Sequence, residues 1–188
     1  MKKIGIYGGS FDPIHHGHLI LAREALETLD LAEVIFVLAA QSPHKLELAP
    51  ASAAARWEML TAAIAGERGL AASRVEIDRP PPSYSVETVE AMRAERPEAE
   101  FFFLVGEDNL PKLQTWHRFE DLQKLVQFIV LDRSGGKVEY PYRTIRRKID
   151  ISATTIRKRV ARGHSIRYLV PEAVAEIIRR ENLYQGTT

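Results

Sequence analysis

The chain has 188 residues, of which 45% are hydrophobic and 27% charged, values that are ordinary for one globular domain. Its formal net charge of +1 argues against a general nucleic-acid binder. It contains no cysteine, which excludes disulfides, thiolate metal sites and a cysteine nucleophile. No apolar run approaches the roughly 20 residues that a membrane span needs, and the first residues read as a strand and not as a signal peptide, so we expect a cytoplasmic location and no membrane partner.

Strands and helices alternate through the first half of the chain. The first predicted strand is 4–7, and apolar residues at helical spacing predict a helix over 16–29. Residues 34–38 form an unbroken β-rich apolar run, typical of a strand that is covered on both faces. A second set of apolar residues at helical spacing predicts a helix over 53–64, and a short strand is expected over 74–77.

The alternation continues after three consecutive prolines, Pro80, Pro81 and Pro82, which exclude regular structure and predict an extended loop. In chain order, the elements expected after this loop are a helix over 85–96, a strand over 101–105, a broken helical stretch over 110–125, strands over 128–131 and 149–151, and helices over 154–162 and 171–181.

This order predicts one α/β domain over residues 1–188, with an open parallel sheet, helices on both faces and a helical C-terminal tail. Ligands of such folds bind outside the carboxyl ends of the strands, where the strand order reverses. The Gly8-Gly9 turn, the 80–83 loop, Gly106 and Arg133 all follow predicted strands. We therefore expect them to meet at one edge of the sheet.

The strongest functional signal lies in the segment Gly8-Gly9-Ser10-Phe11-Asp12-Pro13-Ile14-His15-His16-Gly17-His18. Paired glycines after a strand let the backbone approach a phosphate closely, and the start of the next helix offers unbonded N–H groups and the positive end of the helix dipole. His15 and His18 share one helix face, whereas His16 is interpreted as a surface residue. The spacing fits neither the G-x-G-x-x-G fingerprint nor the P-loop. The segment therefore predicts a polyphosphate site of another kind.

Two motifs in this chain carry a resemblance to a known family. One is His15-x-Gly17-His18 and the other is Ile151-Ser152-Ala153-Thr154-Thr155-Ile156-Arg157. They resemble, in the same order, the HxGH and ISSTxxR signatures of the nucleotidylyltransferase superfamily, a Rossmann-like fold that transfers a nucleotidyl group from a nucleoside triphosphate. Ala153 replaces the second serine of the second signature, so one hydroxyl is missing.

Further stretches resemble one branch of that superfamily, the nicotinate-nucleotide adenylyltransferases. Ser42-Pro43-His44-Lys45 is similar to its Pro-Pro-His-Lys loop with one proline missing, and Pro82-Ser83-Tyr84-Ser85 is similar to its Pro-Ser-Tyr-Thr segment. Gly106-Glu107-Asp108-Asn109-Leu110, followed by Leu113 and Trp116, resembles its G-x-D-x-L…L…W pattern, and Tyr168-Leu169-Val170-Pro171 also fits. The resemblance thus covers essentially the whole chain.

The resemblance implies transfer of the adenylyl group of ATP to nicotinate mononucleotide, giving deamido-NAD and pyrophosphate in NAD biosynthesis. The acceptor phosphate is already a nucleophile, so positioning and charge stabilisation are expected to supply catalysis. The catalytic residues implied are His15, His18, Lys45 and Arg157. The ATP-binding residues implied are Gly8, Gly9, Ser10, Gly106, Asp108, Arg133, Ser152 and Thr154. Those implied for nicotinate mononucleotide are Tyr84, Ser85 and Trp116, with the ring stacked on Trp116 and its carboxylate at the start of the helix that begins at Ser85.

ATP and nicotinate mononucleotide are the partners that the resemblance implies, and no nucleic-acid partner is expected. We expect Mg²⁺ to enter with ATP, because Mg²⁺ keeps several waters and needs few protein ligands. No metal site formed by the protein alone is predicted. The sequence is also compatible with assembly into a homo-oligomer.

Two other functions remain open on the sequence. A phosphopantetheine adenylyltransferase shares the HxGH region but does not require Tyr84 and Trp116 at these positions. A non-catalytic nucleotide-binding module has no need to hold pyrophosphate from both sides, as His15, His18, Lys45 and Arg157 are expected to do. The basic run over 143–148 is consistent either with a solvated surface or with a cationic wall beside a phosphate ligand.

Overall fold

A six-stranded parallel sheet with helices on both faces forms the molecule in our computed structural model, which describes residues 1–40, 50–136 and 138–186. The strands are β1 (Lys3–Gly9), β2 (Glu33–Leu38), β3 (Leu70–Ser73), β4 (Glu100–Gly106), β5 (Gln127–Asp132) and β6 (Arg143–Arg146). The helices are α1 (His16–Thr28), α2 (Ala53–Ala63), α3 (Ser85–Glu95), α4 (Phe119–Leu125), α5 (Ala153–Ala161) and α6 (Glu172–Arg180), and a 3₁₀ helix covers Glu107–Thr115. The predicted α/β Rossmann-like architecture is confirmed.

The two faces of the sheet carry separate apolar layers. Alternate residues of β1 and β4 point to opposite sides, so Ile6 and Phe103 lie in one layer and Tyr7 and Leu104 in the other. The first layer packs against α3, the 3₁₀ helix and α4, and the second against α1, α2, α5 and α6. Burial on both faces explains why the strands read as unbroken apolar runs.

The strand order is β3-β2-β1-β4-β5-β6, so the direction in which strands are added reverses between β1 and β4. Because β1 pairs in parallel with both β2 and β4, its carboxyl end lies between two diverging connections. This is the position at which open α/β sheets leave a crevice for a ligand. The fold therefore places the turn after β1 at the predicted binding edge.

Two short predicted strands are wrong. The segment 74–77 forms a turn, in which Asp78 N–H donates to the Arg74 carbonyl at 2.9 Å, and the strand at that edge is β3. Its alanine-rich sequence has little intrinsic preference for a strand, but pairing with β2 imposes one. The segment 149–151 is likewise not a strand, because β6 covers the preceding basic run instead.

The basic run is an edge strand and its flank. Arg146 Nε lies 3.5 Å from Asp132 Oδ2, Arg147 pairs with Glu24 at 3.0 Å, and Arg143 donates to the Thr28 carbonyl at 3.3 Å. Charged residues on an edge strand oppose pairing with other chains. Within the described part of the molecule these three arginines are thus paired with protein groups. In the same part of the chain, no helix is long and apolar enough to cross a bilayer.

Candidate active site

A cavity of about 700 Å³ opens at the carboxyl edge of the sheet, next to the ends of β1 and β4, and its size is typical of ligand pockets. Its wall includes these predicted residues: Gly8, Gly9, Ser10, Ser85, Gly106, Asp108, Trp116, Arg133 and His18. Ala153, the first residue of α5, lines it as well. The expectation that the glycine turn, the proline loop, Gly106 and Arg133 meet at one edge is confirmed.

Other predicted site residues lie outside the wall of this cavity. Although the structure describes His15, Tyr84, Ser152, Thr154 and Arg157, they do not line it. Lys45, with its motif Ser42-Pro43-His44-Lys45, falls outside the described residues, so its role stays a prediction.

The two histidines form a stacked pair at the start of α1. Their ring centroids are 3.7 Å apart with an interplanar angle of 21°, and the backbone N–H of His15 donates to Nδ1 of His18 at 3.3 Å. Gly17 makes room for this stack, because a Cβ at that position would lie 3.0 Å from the His15 ring. The HxGH pattern therefore has a steric basis as well as a chemical one.

Both imidazoles are neutral at pH 7. Burial is the main cause that lowers the pKa of His15 to about 3, and the positive charge of Arg133 adds to it. Burial also holds the pKa of His18 well below its usual range, with His15 and Arg133 contributing. Because Nδ1 of His18 accepts a hydrogen bond, its single proton is on Nε2. His18 thus supplies an uncharged N–H donor at the cavity wall.

A pH effect on stability follows from these lowered pKa values. Below about pH 6.5 the histidines of the unfolded chain bind protons, whereas the folded pair stays neutral. The free energy of unfolding is therefore highest above that pH, and it falls as the pH drops toward the pKa values of the folded pair. We expect a loss of up to about 1.4 kcal/mol per pH unit for each buried imidazole between pH 6.5 and 5. Urea unfolding of wild type and His15→Gln measures this slope. His164→Gln is the control, because His164 is exposed; equal slopes in all three proteins would contradict the account.

Arg133 lines the cavity, and its positive charge acts on both histidines. Its side chain is 29% exposed and lies 4.0 Å from a carboxylate oxygen of Glu107 and 4.0 Å from one of Asp108. The turn that presents it is fixed by Asp132, whose Oδ1 accepts from the backbone N–H and the hydroxyl of Ser134 at 2.9 and 2.6 Å. Arg133 therefore stands between the acidic 3₁₀ helix and the imidazoles, where it can bind an anion.

The G-x-D pattern after β4 has a steric explanation. A Cβ on Gly106 would lie 2.5 Å from Asp108 Oδ1. A larger residue at position 106 would displace the Asp108 carboxylate, which folds back over the end of the strand. This conformation puts the carboxylate in the cavity wall, where it can accept hydrogen bonds from the hydroxyl groups of a ligand.

The first turn of α5 lines the cavity at Ala153, whereas Ser152 and Thr154 do not line it. Ser152 caps the helix: its Oγ accepts from the Thr155 N–H at 3.1 Å and donates to the Thr155 hydroxyl at 2.8 Å. The first N–H groups of a helix have no partner within the helix and can bind an anion. Ala153 therefore offers a backbone donor and a small side chain where the family signature has serine.

Arg157 is buried beside residues 8–13, which contain the glycines predicted to bind phosphate and which we call the phosphate turn. Its Nη1 donates to the Asp12 carbonyl at 2.6 Å and its Nη2 to the Thr154 hydroxyl at 3.4 Å. The side chain is only 7% exposed. Arg157 thus joins α5 to the turn that precedes the histidines, although it is not among the residues that line the cavity.

The end of the cavity that α3 and the 3₁₀ helix border carries aromatic and hydroxyl side chains. Trp116 packs edge-on against Phe103, with ring centroids 5.8 Å apart, and one side of it faces the cavity together with Ser85. Tyr84 packs instead against His117, at 4.1 Å between centroids. This end can stack a flat ring and offer the N-terminus of α3 to an anion.

The sequence did not point to the buried residues that form hydrogen bonds with the phosphate turn. Arg56 is 5% exposed and donates to the carbonyls of Ser10, Ala39 and Ala51 at 3.0, 2.9 and 3.2 Å. Its position on the apolar face of a helix could have singled it out, because an arginine that is buried there needs hydrogen-bond partners. Asp12 and Tyr184 are hydrogen-bonded across 172 residues of sequence, and no local pattern could reveal that contact.

The wall also contains a carboxylate that the motifs did not single out. Glu76 accepts from the Thr88 hydroxyl at 2.9 Å, and Thr88 accepts in turn from Arg79 at 2.6 Å. Burial raises the pKa of Glu76 above its usual value. Among the residues that the structure describes, no three histidine, aspartate or glutamate side chains are grouped to hold a metal ion.

Comparison with known proteins agrees with this geometry. The family model described as "Cytidylyltransferase-like" matches residues 6–159. The chain is 40% identical to a protein of Geobacillus thermodenitrificans named "Probable nicotinate-nucleotide adenylyltransferase", with 100% of this chain and 88% of that one covered. It is 43% identical to a protein of the same name from Exiguobacterium sibiricum, covering 97% and 98% of the two chains.

A solved structure shares the fold. The nicotinic acid mononucleotide adenylyltransferase of Plasmodium falciparum, in complex with NaAD, superposes with a TM-score of 0.81 over 98% of both chains at 22% sequence identity. At that level of identity the match establishes the architecture of the sheet and helices.

Proposed function

The chain belongs to the nicotinate-nucleotide adenylyltransferases of the cytidylyltransferase-like family, and we propose that it uses the cavity at the carboxyl edge of its sheet to transfer the adenylyl group of ATP to nicotinate mononucleotide. One observation carries the proposal. The wall of a single cavity includes neutral His18, Arg133, the glycine turn and the first residue of α5, together with Trp116 and Ser85. The first group of residues suits a triphosphate, and the second suits a flat ring bearing a carboxylate.

In the proposed reaction, a phosphate oxygen of the acceptor attacks the α-phosphorus of ATP. The bond from that phosphorus to the bridging oxygen breaks, and pyrophosphate leaves with the electron pair. No proton has to be removed from the nucleophile, which explains why neutral histidines suffice. His18 Nε2 donates to a phosphate oxygen, Arg133 adds a full positive charge, and the backbone of the phosphate turn surrounds the chain of phosphates.

The predicted roles of Asp108 and Lys45 are kept as part of the proposal, and His15 takes a supporting role. Asp108 accepts from the hydroxyls of the adenosine ribose, and Lys45 contacts phosphates of both substrates. His15 supports His18 through the stack and orients it through its backbone N–H. Mg²⁺ enters as part of the substrate MgATP, where it neutralises phosphate charge and keeps most of its water ligands.

An acceptor comparison tests the function. Pyrophosphate release from ATP is measured with nicotinate mononucleotide, its amide and phosphopantetheine in turn. We expect the highest kcat/KM with nicotinate mononucleotide. A higher kcat/KM with phosphopantetheine would assign the chain to that other adenylyltransferase. ATP binding without turnover on any acceptor would make it a nucleotide-binding module.

Substitution of Trp116 tests the acceptor end of the cavity. Stacking of a base on an aromatic ring contributes roughly 1–3 kcal/mol, so Trp116→Ala is expected to raise the KM for nicotinate mononucleotide about tenfold and the KM for ATP much less. Steady-state kinetics with each substrate varied separately measures both constants. Trp57, which does not line the cavity, provides the control Trp57→Ala. Equal increases in the two KM values for Trp116→Ala would argue against ring stacking.

A further inference from the structure

We infer that Tyr184 is a positioning residue of the ATP site and that it acts through Asp12 on the phosphate turn. The inference rests on the proposed function, because it takes that turn as the seat of the phosphates. Tyr184 follows α6 and belongs to neither signature motif. Its hydroxyl nevertheless reaches Asp12 in the phosphate turn.

The contact between the two side chains is direct and buried. The Tyr184 hydroxyl donates to Asp12 Oδ1 at 2.5 Å, and the backbone N–H of Ala51 donates to the same oxygen at 3.2 Å. Tyr184 is 5% exposed and Asp12 is 2% exposed. Asp12 is itself part of the cavity wall. A tail residue thus fixes a carboxylate that borders the proposed phosphate site.

The backbone of the turn is fixed at the same place by two guanidinium groups. Arg157 donates to the carbonyl of Asp12, and Arg56 donates to the carbonyl of Ser10. These bonds hold the main chain, whereas the bond from Tyr184 holds the side chain of Asp12. The other oxygen of that carboxylate, Oδ2, is buried and has no hydrogen-bond partner among the described residues.

The chemistry of a buried carboxylate explains why the hydroxyl matters. A buried charge is costly unless it is hydrogen-bonded, and without Tyr184 the Oδ1 atom would keep only one donor. The carboxylate would then be free to turn toward the cavity, where it would repel the negative phosphates of ATP. The Tyr184 hydroxyl prevents this by keeping the Asp12 carboxylate turned toward the tail.

The test compares Tyr184→Phe with Tyr168→Phe. The first removes only the buried hydroxyl, and the second removes the hydroxyl of a side chain that is 77% exposed. We expect Tyr184→Phe to weaken the binding of a non-hydrolysable ATP analogue, measured by calorimetry, about tenfold, with the KM for nicotinate mononucleotide within about twofold of wild type. Tyr168→Phe should match wild type in both measurements.

The same substitution made in an Asp12→Asn protein separates a positioning role from a general loss of structure. Asp12→Asn removes the negative charge but keeps an oxygen that can accept from Tyr184, so adding Tyr184→Phe to it should change ATP affinity less than twofold. The inference is wrong if Tyr184→Phe binds the analogue like wild type, or if it lowers the affinity for the analogue by the same factor with Asp12 as with Asn at position 12. It is also wrong if Tyr184→Phe weakens the binding of ATP and of nicotinate mononucleotide equally, or if the variant does not fold. Failure of wild type to use nicotinate mononucleotide would refute the proposed function alone, because analogue binding is measured without an acceptor.

Discussion

His18→Ala is expected to lower kcat by about 100- to 1,000-fold, the usual effect of removing one donor that stabilises charge in a transition state. His18 is the imidazole that lines the cavity, and its Nε2 proton is fixed because Nδ1 accepts from the His15 backbone. Charge grows on the bridging oxygen and on pyrophosphate as the bond to the α-phosphorus breaks. A donor aimed at those oxygens therefore lowers the barrier more than it strengthens the binding of ATP.

His16→Ala is the matched control for this substitution. His16 is the neighbouring imidazole on the same helix, and it does not line the cavity. Steady-state kinetics should give a kcat for His16→Ala within about twofold of wild type. A decrease of less than about fivefold for His18→Ala would remove His18 from the catalytic residues.

Arg133→Gln is expected to lower kcat/KM for ATP by about 10- to 100-fold, because a hydrogen bond to a charged group contributes roughly 1.5–3 kcal/mol. The substitution also removes a positive charge that lowers the pKa of both histidines. Their pKa values should therefore rise, although burial, the larger cause, keeps them below the usual range. NMR titration of the imidazole signals measures this second effect independently of turnover.

Arg23→Gln is the control for Arg133, because Arg23 forms an ion pair with Glu67 that does not line the cavity. This variant should retain both the kinetics and the imidazole titration of wild type. If Arg133→Gln changed kcat/KM less than twofold, or left the histidine pKa values where they were, Arg133 could not face the histidine pair and the phosphates as we describe.

The sequence predicted the parts of the site that depend on local spacing. A glycine turn after a strand, two histidines one helical turn apart and Gly106 before Asp108 are each set within a few residues, and the structure gives steric reasons for Gly17 and Gly106. The parallel sheet was also predictable, because strands that are buried on both faces leave unbroken apolar runs in the sequence.

The parts of the fold and of the site that the sequence did not predict depend on contacts between residues that are far apart in the chain. β3 and β6 are edge strands that pair with β2 and β5; the alanine-rich sequence of β3 does not favour a strand, and β6 is a four-residue segment with an arginine at each end. The motif predicted Arg157 as a phosphate ligand, but nothing local indicates that Asp12 holds its guanidinium. The bond from Tyr184 to Asp12 depends entirely on where the folded tail passes.

The central claim is that α1 and α5 hold the same triphosphate between them. The most direct test is a crystal structure with ATP whose bond between the α- and β-phosphates cannot be cleaved. We predict phosphate oxygens within hydrogen-bonding distance of both His18 Nε2 and the backbone N–H groups at the start of α5. A triphosphate bound elsewhere, or one that touches His18 while α5 contacts no part of it, would contradict the account.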